Sequence, residues 1–410
     1  LNKLEELALA YHAIEPAGKI ATQVTKPIAT SADLALAYSP GVAAPCMAIH
    51  KNPALAYRYT AKGNLVAVVT NGTAVLGLGD IGPLAGKPVM EGKVVLFKKF
   101  AGIDAFDLEL DERDPAKLVE VIAALHPTFG GINLEDIKAP DCFYVEQRLR
   151  ERLAIPVFHD DQHGTAIVVG AGLLNALHLT GRDIASVKVV CSGAGAAAMA
   201  CLDMLVDLGV ARANVFVCDS KGVLTTRREL AAEKLAWAQD TEYTALSDVI
   251  RGADVFLGLS GPGLLSQQDV LNMRARPIIF ALANPDPELR PELIAEVAPQ
   301  ALIATGRSDY PNQINNALCF PYLFRAALDC GASTINAEMK RACVAVLSEM
   351  ARQDARFGKD YLVPDLLDPG LLTSVPPKIA TAAFLSGVAS RCLDEAQYRA
   401  RLAVLATTLR

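Results

Sequence analysis

The sequence predicts an α/β protein built on parallel sheets, with a helical segment at its end. Three observations predict it. Between about 164 and 310, β-branched runs ("VKVVCSG", "NVFVCDS", "ADVFLGLSG", "PIIFALANP", "ALIATGR") alternate with helix formers, as a parallel sheet with crossover helices requires. Residues 127–166 repeat the pattern once more: "FGGINL" as strand, a helix after the cap Asp141, then "IPVF" as strand. The last hundred residues are mostly helical in pattern. "STINAEMKRACVAVLSEMARQ" opens at a plausible N-cap, Ser333 or Thr334, and "PPKIATAAFLSGVASR" follows a proline pair and is expected to pack back on the body.

Size and composition support this division. At about 150 residues per domain, 410 residues suggest two or three domains, divided here as 1–160, 161–310 and 311–410. In the first part, short strands are expected among turn-rich loops such as "YSPGVAAP", "TNGTA" and "GPLAGKP". Hydrophobic residues make up 52% and charged residues 20%, enough for buried cores. A net charge of −6 argues against nucleic acid or an anionic membrane surface as partner. Nine cysteines without a C-x-x-C pair read as reduced, buried thiols of a cytoplasmic protein. The acidic, amphipathic first residues show no signal peptide. From Gln162 to Gly181 there is no charged side chain, but two histidines, an asparagine and four glycines make this a buried helix, not a membrane span.

Two glycine motifs compete for a nucleotide. Gly77-Leu-Gly79-Asp-Ile-Gly82 has the G-x-G-x-x-G spacing, but Pro83 follows at once, so no helix with available amides is expected there, only a tight turn-rich loop. Gly193-Ala194-Gly195-Ala196-Ala197-Ala198 spells only G-x-G-x-x-A, yet it follows a strand, opens an uninterrupted helix former closed by Gly209, and leads to a second strand ending in Asp219. A Rossmann-like, doubly wound dinucleotide-binding domain is therefore placed on 193–198. Asp219 alone favours NAD through the ribose hydroxyls. Ser220, Lys221, Arg227 and Arg228 follow it and suit a 2′-phosphate.

The βαβ rule brings the ends of the two strands in 127–166 to one edge, and with them Glu135, Asp136, Asp160 and Asp161. Four convergent carboxylates call for a divalent cation, and all-oxygen ligation favours Mg²⁺ or Mn²⁺. The alternatives are solvated loop acids, or a zinc site using His159 and His163. That H-x-x-x-H spacing aligns two imidazoles only within a helix, and Pro156 makes the approach extended.

Long motifs in order carry a family resemblance: "LALAYSPGVAAPC", "NGTAVLGLGDIGPLAGKPVMEGKVVLFKKFAGIDAFD", "GGINLEDIKAPDCF", "PVFHDDQHGTA" and "GRSDYPNQINNALCFPYLFRAALD". From about residue 17 to 390 the chain resembles bacterial NADP-dependent malic enzymes, most closely the type some of whose members carry a phosphotransacetylase-like C-terminal domain. The resemblance implies oxidative decarboxylation of (S)-malate to pyruvate and CO₂, with NADP (NAD possible) and Mg²⁺ or Mn²⁺. It makes Tyr38 the general acid, Lys93 the general base and Asp160 the acid paired with that lysine. Glu135, Asp136 and Asp161 become the metal ligands. Asn284 and Asn316 bind substrate, with Lys93 touching it and Asn284 also bordering the cofactor. "GLGDIG" becomes the substrate-side loop leading to Lys93. One departure stands out: Ala74 replaces an arginine that grips a malate carboxylate in the larger members. The helices of the last segment imply a homodimer or higher homo-oligomer. The competing enzyme is a metal-assisted 2-hydroxy-acid or amino-acid dehydrogenase that does not decarboxylate; the non-enzymatic alternative is a nucleotide-sensing scaffold.

Overall fold

The computed structural model describes residues 3–75 and 77–409; Leu1, Asn2, Leu76 and Arg410 lie outside the described residues. Two sheets organise the chain. The first contains β1 (Leu65–Thr70), β2 (Asp104–Glu109), β3 (Gly131–Leu134) and β4 (Val157–His159), in the order β2-β1-β3-β4, all parallel. The second contains β5 (Val189–Ser192), β6 (Val215–Asp219), β7 (Gly222–Val223), β8 (Val255–Gly258), β9 (Ile278–Ala281) and β10 (Leu302–Thr305). Its order is β10-β9-β8-β5-β6-β7, parallel except for the short β7.

Alternation along the strands explains the layers. In β1, Val66 and Val68 enter one core while Leu65, Ala67 and Val69 enter another. In the second sheet, Val189, Cys191, Val255, Leu257 and Phe280 face one core, and Val190, Phe256, Ile279 and Ala281 the opposite one. Both sheets are thus covered on two faces, which is why their strands read as near-continuous apolar runs. The helices Phe320–Cys330, Ala337–Gln353, Leu371–Leu385 and Glu395–Thr408 join the same core as the first sheet: Phe320 and Phe324 pack edge-on against Phe97 at 4.8 and 5.3 Å between ring centres. The architecture is the expected one: an N-terminal α/β unit, a Rossmann-like unit and a helical C-terminal segment.

Several local expectations are corrected. Among the described residues, the first part holds no strand before Leu65; the helices Lys3–Ala13, Ser31–Ala37, Ala43–Lys51 and Ala56–Tyr59 fill it instead, and none of them buries a residue. A 19-residue helix, Pro83–Ala101, does begin right after the Gly77–Gly82 motif, with Pro83 in its first turn, where the missing N–H has no intrahelical partner to lose. Lys87, expected in the turn-rich loop "GPLAGKP", therefore lies on a helix, and so does Lys93. The Asp160–Thr180 helix starts four residues before "GTAIVV", so Asp160 and Asp161 form its first turn. Asp141 is the first residue of its helix, not the cap. Asn336 caps the Ala337–Gln353 helix in place of Ser333 or Thr334, its side chain accepting from Met339 N at 3.1 Å. Pro376 and Pro377 fall inside the Leu371–Leu385 helix. Among the described residues, no helix is long and apolar enough to cross a membrane.

Candidate active site

β3 and β4 are neighbours with Leu134 opposite His159, so the residues that follow them leave the sheet side by side. Glu135 and Asp136 come from β3, Asp160 and Asp161 from the helix opened by β4. Asp136 turns the chain with φ 54°, a left-handed conformation that Asp tolerates better than most residues, and its N–H donates to Asp161 Oδ2 at 2.7 Å. Asn133 Nδ2 holds Glu135 Oε2 at 2.9 Å. One carboxylate oxygen from each of Glu135, Asp136 and Asp161 can lie within 4.8 Å of the others, the one such group of three among the described residues.

Lys93 reaches this cluster from the Pro83–Ala101 helix. Its Nζ lies 2.5 Å from Asp160 Oδ2, 3.0 Å from Glu135 Oε1 and 3.4 Å from Asn316 Oδ1, and 4.5 Å above the Phe320 ring. Three buried acids, Glu135, Asp136 and Asp160, and the partly buried Asp161 surround one ammonium. Burial alone would lower the Lys93 pKa, but Asp160, Glu135 and Asp161 outweigh it and hold the proton on. The acids are pushed the other way. Burial, then repulsion from Asp161 and Glu135, lifts Asp136 to about 9. Burial lifts Glu135 and Asp160 to about 7 each against the pull of Lys93, and raises Asp161.

These residues fit a divalent cation. Asp136 Oδ2 and Asp160 Oδ1 are buried with no hydrogen-bond partner, and the excess of negative charge is what a hard dication with oxygen ligands would balance. The zinc alternative finds no such support. His163 lies in a helix after all, but its Nε2 is 2.9 Å from both oxygens of Glu146, and His159 sits outside the helix as its cap.

The second sheet brings the Gly193 turn to its own carboxyl edge. β5 is flanked by β6 and β8, so the chain reverses direction across the sheet at the Gly193 turn, the usual ligand crevice of such sheets. Gly193 has φ 121°, and a Cβ there would overlap the Leu259 carbonyl; Gly195, with no atom near its Cβ position, leaves room for a ligand. Helix Ala196–Asp207 starts immediately afterwards, presenting its first amides, and Ala198 is buried where the helix meets the sheet.

Asp219 ends β6, but its oxygens are taken. Arg228 Nη2 lies 2.8 and 3.0 Å from Oδ1 and Oδ2, Lys234 Nζ 3.2 Å from Oδ2, and the Lys221 N–H 2.9 Å from Oδ1. Ser220 and Lys221 are exposed beside it. Arg227 turns away to Glu242 and the Thr241 carbonyl.

The remaining residues divide. Asn316 belongs to the Lys93 cluster. A Cβ at Gly164 would overlap the Asp160 carboxylate and come within 2.8 Å of Asn316 Cβ, so that glycine permits the approach. Asn284 follows β9 and meets the Gly77 loop, a Cβ at Gly77 lying 3.4 Å from the Asn284 carbonyl oxygen. Ala74 borders the cluster, its N–H donating to the Asp136 carbonyl at 2.9 Å. Tyr38 is not brought in: it is 71% exposed, and its side chain makes no hydrogen bond or ring contact among the described residues. Sequence reading missed Asn133, Phe320, Lys234 and Glu288. Of these, only Asn133, two residues before Glu135 on the same strand face, carried a readable signal.

A carboxylate cluster with a lysine stands at one sheet edge, and a glycine turn of the dinucleotide-binding type stands at the edge of the next. The comparisons narrow the reading. The description "Malic enzyme, N-terminal domain" matches residues 17–150 and "Malic enzyme, NAD binding domain" residues 162–383. The chain belongs to the malic enzyme family. It is 58% identical over 406 residues to an NADP-dependent malic enzyme of Escherichia coli (strain K12), covering 95% of this chain and 54% of that one. It is 56% identical over 407 residues to an NAD-dependent malic enzyme of Rhizobium meliloti (strain 1021), covering 96% of this chain and 53% of the relative. The chain thus spans about half the length of these curated relatives. The crystal structure of malic enzyme from Pyrococcus horikoshii superposes with TM-score 0.93 at 41% identity, covering 98% of this chain and 96% of that one. One expectation is overturned. The likeness to the type with a phosphotransacetylase-like domain does not hold for these residues, which the two malic-enzyme domains and a malic-enzyme structure of matching extent account for.

Proposed function

We propose that the protein oxidatively decarboxylates (S)-malate to pyruvate and CO₂, reducing NADP⁺ with Mg²⁺ or Mn²⁺ bound. The observation that carries this reading is Lys93 held 2.5 Å from Asp160 beside three carboxylates able to share a cation. A dication on Glu135, Asp136 and Asp161 would supply Lewis acidity at malate's C2 hydroxyl and adjoining carboxylate, and a nicotinamide dinucleotide at the Gly193 turn would supply the hydride acceptor. Lys93 takes the C2 hydroxyl proton, steadied by Asp160. Lys93 can do so only once the surrounding negative charge is cancelled, so its base strength is tied to metal occupancy. Asn316, 3.4 Å from Lys93, and Asn284 hold the substrate's polar groups, Asn284 on the side of the dinucleotide. Tyr38 returns a proton to C3 after CO₂ has left.

Tyr38 serves that role from an exposed segment. The N-terminal helices leave Leu4, Leu7, Leu36 and Tyr38 at 58–76% exposure, an apolar surface suited to a second copy of this chain. A homodimer or higher homo-oligomer covering this segment is therefore part of the reading, as are the functional units 1–160, 161–310 and 311–410. Nine free cysteines support a reducing, cytoplasmic setting. NADP is preferred over NAD because Arg228 and Lys234 occupy and neutralise Asp219, leaving Ser220 and Lys221 for a 2′-phosphate.

The experiment is near-UV absorbance with (S)-malate and Mn²⁺, NADP⁺ against NAD⁺, with pyruvate assayed in the same tube. NADPH and pyruvate appearing together, and vanishing on chelation, is the expected result. Reduced cofactor without pyruvate would replace this reading with a non-decarboxylating dehydrogenase.

A further inference from the structure

Glu288 is fully buried, with no cation beside it among the described residues. Its carboxylate accepts two backbone N–H groups instead, Ser260 on Oε1 at 3.1 Å and Ala283 on Oε2 at 3.2 Å. Ser260 lies just beyond β8, and Ala283 just beyond β9, one residue before Asn284. Ser260 Oγ in turn sits 3.0 Å from the Oγ of Ser192, the last residue of β5 and the one preceding Gly193. One side chain therefore ties together the ends of three adjacent strands, β5, β8 and β9. Room for it is made deliberately: Gly258 ends β8, and a Cβ there would overlap the Glu288 carboxyl group. A buried carboxylate without a cation is expensive. A glutamine is not its equal here, because its amide offers one acceptor atom and both N–H groups need one.

We propose that Glu288 is a positioning residue, fixing the spacing between the Gly193 turn and Asn284 so that the nicotinamide end of the dinucleotide and the substrate meet in one geometry. This rests on the dinucleotide-dependent function proposed above. It assigns Glu288 no contact with either molecule. Its effect passes through the backbone of Ser260 and Ala283, and the adenosine end of the dinucleotide, bound beyond β6, lies outside its reach.

The test uses two variants in the full chain, Glu288→Gln, which orphans one N–H, and Gly258→Ala, which displaces the carboxylate without altering it. Isothermal titration measures the affinity for NADP⁺ and for 2′,5′-ADP, which carries only the adenosine half, and steady-state kinetics measure kcat and KM. Both variants are expected to melt as cooperatively as the parent and to bind 2′,5′-ADP unchanged. They should bind NADP⁺ about tenfold more weakly and lose about tenfold in kcat, as expected for one lost hydrogen bond to a charged group. The double variant should be no worse than either single one. Variants that bind NADP⁺ and turn over like the parent would overturn the assignment, and so would a parallel loss of 2′,5′-ADP binding, which marks general loosening. A parent that binds neither molecule would instead sink the proposed function, and this inference with it.

Discussion

The Asp136→Asn substitution separates what the acid cluster does for stability from what it does for the cation. In the metal-free chain Asp136 is 3% exposed and pushed up to about 9 by burial and by its neighbours Asp161 and Glu135. The unfolded chain returns it to about 3.9. Between those values the folded state binds the extra proton, so stability is full below pH ~4 and is lost as pH rises through ~9. Each pH unit in that window removes up to about 1.4 kcal/mol, so by pH 7 the metal-free fold has given up at most about 4 kcal/mol. An asparagine removes the titration. With an unfolding entropy of about 0.9 kcal/mol/K for a chain this long, the full amount corresponds to ~4–5 °C. The metal-free variant should therefore melt up to ~5 °C above the parent at pH 7, somewhat more at pH 8, and show a flatter dependence on pH. With Mn²⁺ the gap narrows by more than half. A hundredfold excess over Kd should stabilise the parent by about 2.7 kcal/mol, while the variant, short of one ligand, should barely respond. Differential scanning calorimetry, with chelator and with Mn²⁺, reads both. A metal-free variant that melts below the parent at pH 8, or one whose melting still follows Mn²⁺ as the parent's does, would refute the assignment of Asp136 to the cation.

Other perturbations test other parts. Lys93→Met should lower kcat by ~10²–10⁴ while tightening Mn²⁺ binding, since a competing cation has left the cluster; kinetics and electron paramagnetic resonance titration check the two signs. Tyr38→Phe should lower kcat and leave Mn²⁺ and NADP⁺ affinity unchanged. If Tyr38 serves a neighbouring copy, co-expressing it with Lys93→Met should restore about a quarter of parent activity, because half the dimers then hold one intact site. Lys221→Ala should weaken NADP⁺ binding about tenfold and leave NAD⁺ unchanged by isothermal titration, whereas equal losses would remove Lys221 from the 2′-phosphate.

What the sequence made legible follows period and position. β5 and β6 with the turn between them were readable because strand, glycine turn and helix obey local rules, and the acids at the ends of β3 and β4 because parallel strands share an edge. The Pro83–Ala101 helix was misread because a proline after a glycine looks like a break, although in the first helical turn it loses no hydrogen bond. The Ser333 and Thr334 caps failed against Asn336, an equally good cap three and two residues on; composition does not choose among them. Lys234 and Glu288 were invisible because each acts on a partner, Asp219 or the Ser260 and Ala283 backbone, that only tertiary packing brings near. Tyr38 is the converse case: its role comes from family resemblance, and one copy of the chain leaves it in solvent.

The Asp160–Thr180 helix shows why the two halves must act as one body. Its first turn supplies Asp160 to Lys93 and Asp161 to the acid triad, while its middle packs on the dinucleotide helix Ala196–Asp207. Gly170 permits that contact, since a Cβ there would lie 2.9 Å from Leu208 and 3.4 Å from Met204. Asn175, on the same helix, is buried and gives its amide to the Ser348 and Leu362 carbonyls, fastening the C-terminal helices to its far side. A hydride can pass only if C2 of the substrate and the acceptor are held close, and effective alignment is worth several orders of magnitude in rate. A flexible linker between the sheets would forfeit that. A continuous, mostly buried helix carries acids of the cluster at one end and the packing surface for the Ala196–Asp207 helix along its length, so the separation of the two sites is set by helix geometry, not by a hinge. The absence of charge from Gln162 to Gly181 is therefore neither a membrane signal nor an accident of composition. A charged side chain at any of the buried positions of that stretch would have to enter the shared core or part the helices, and either would move the cation cluster relative to the Gly193 turn.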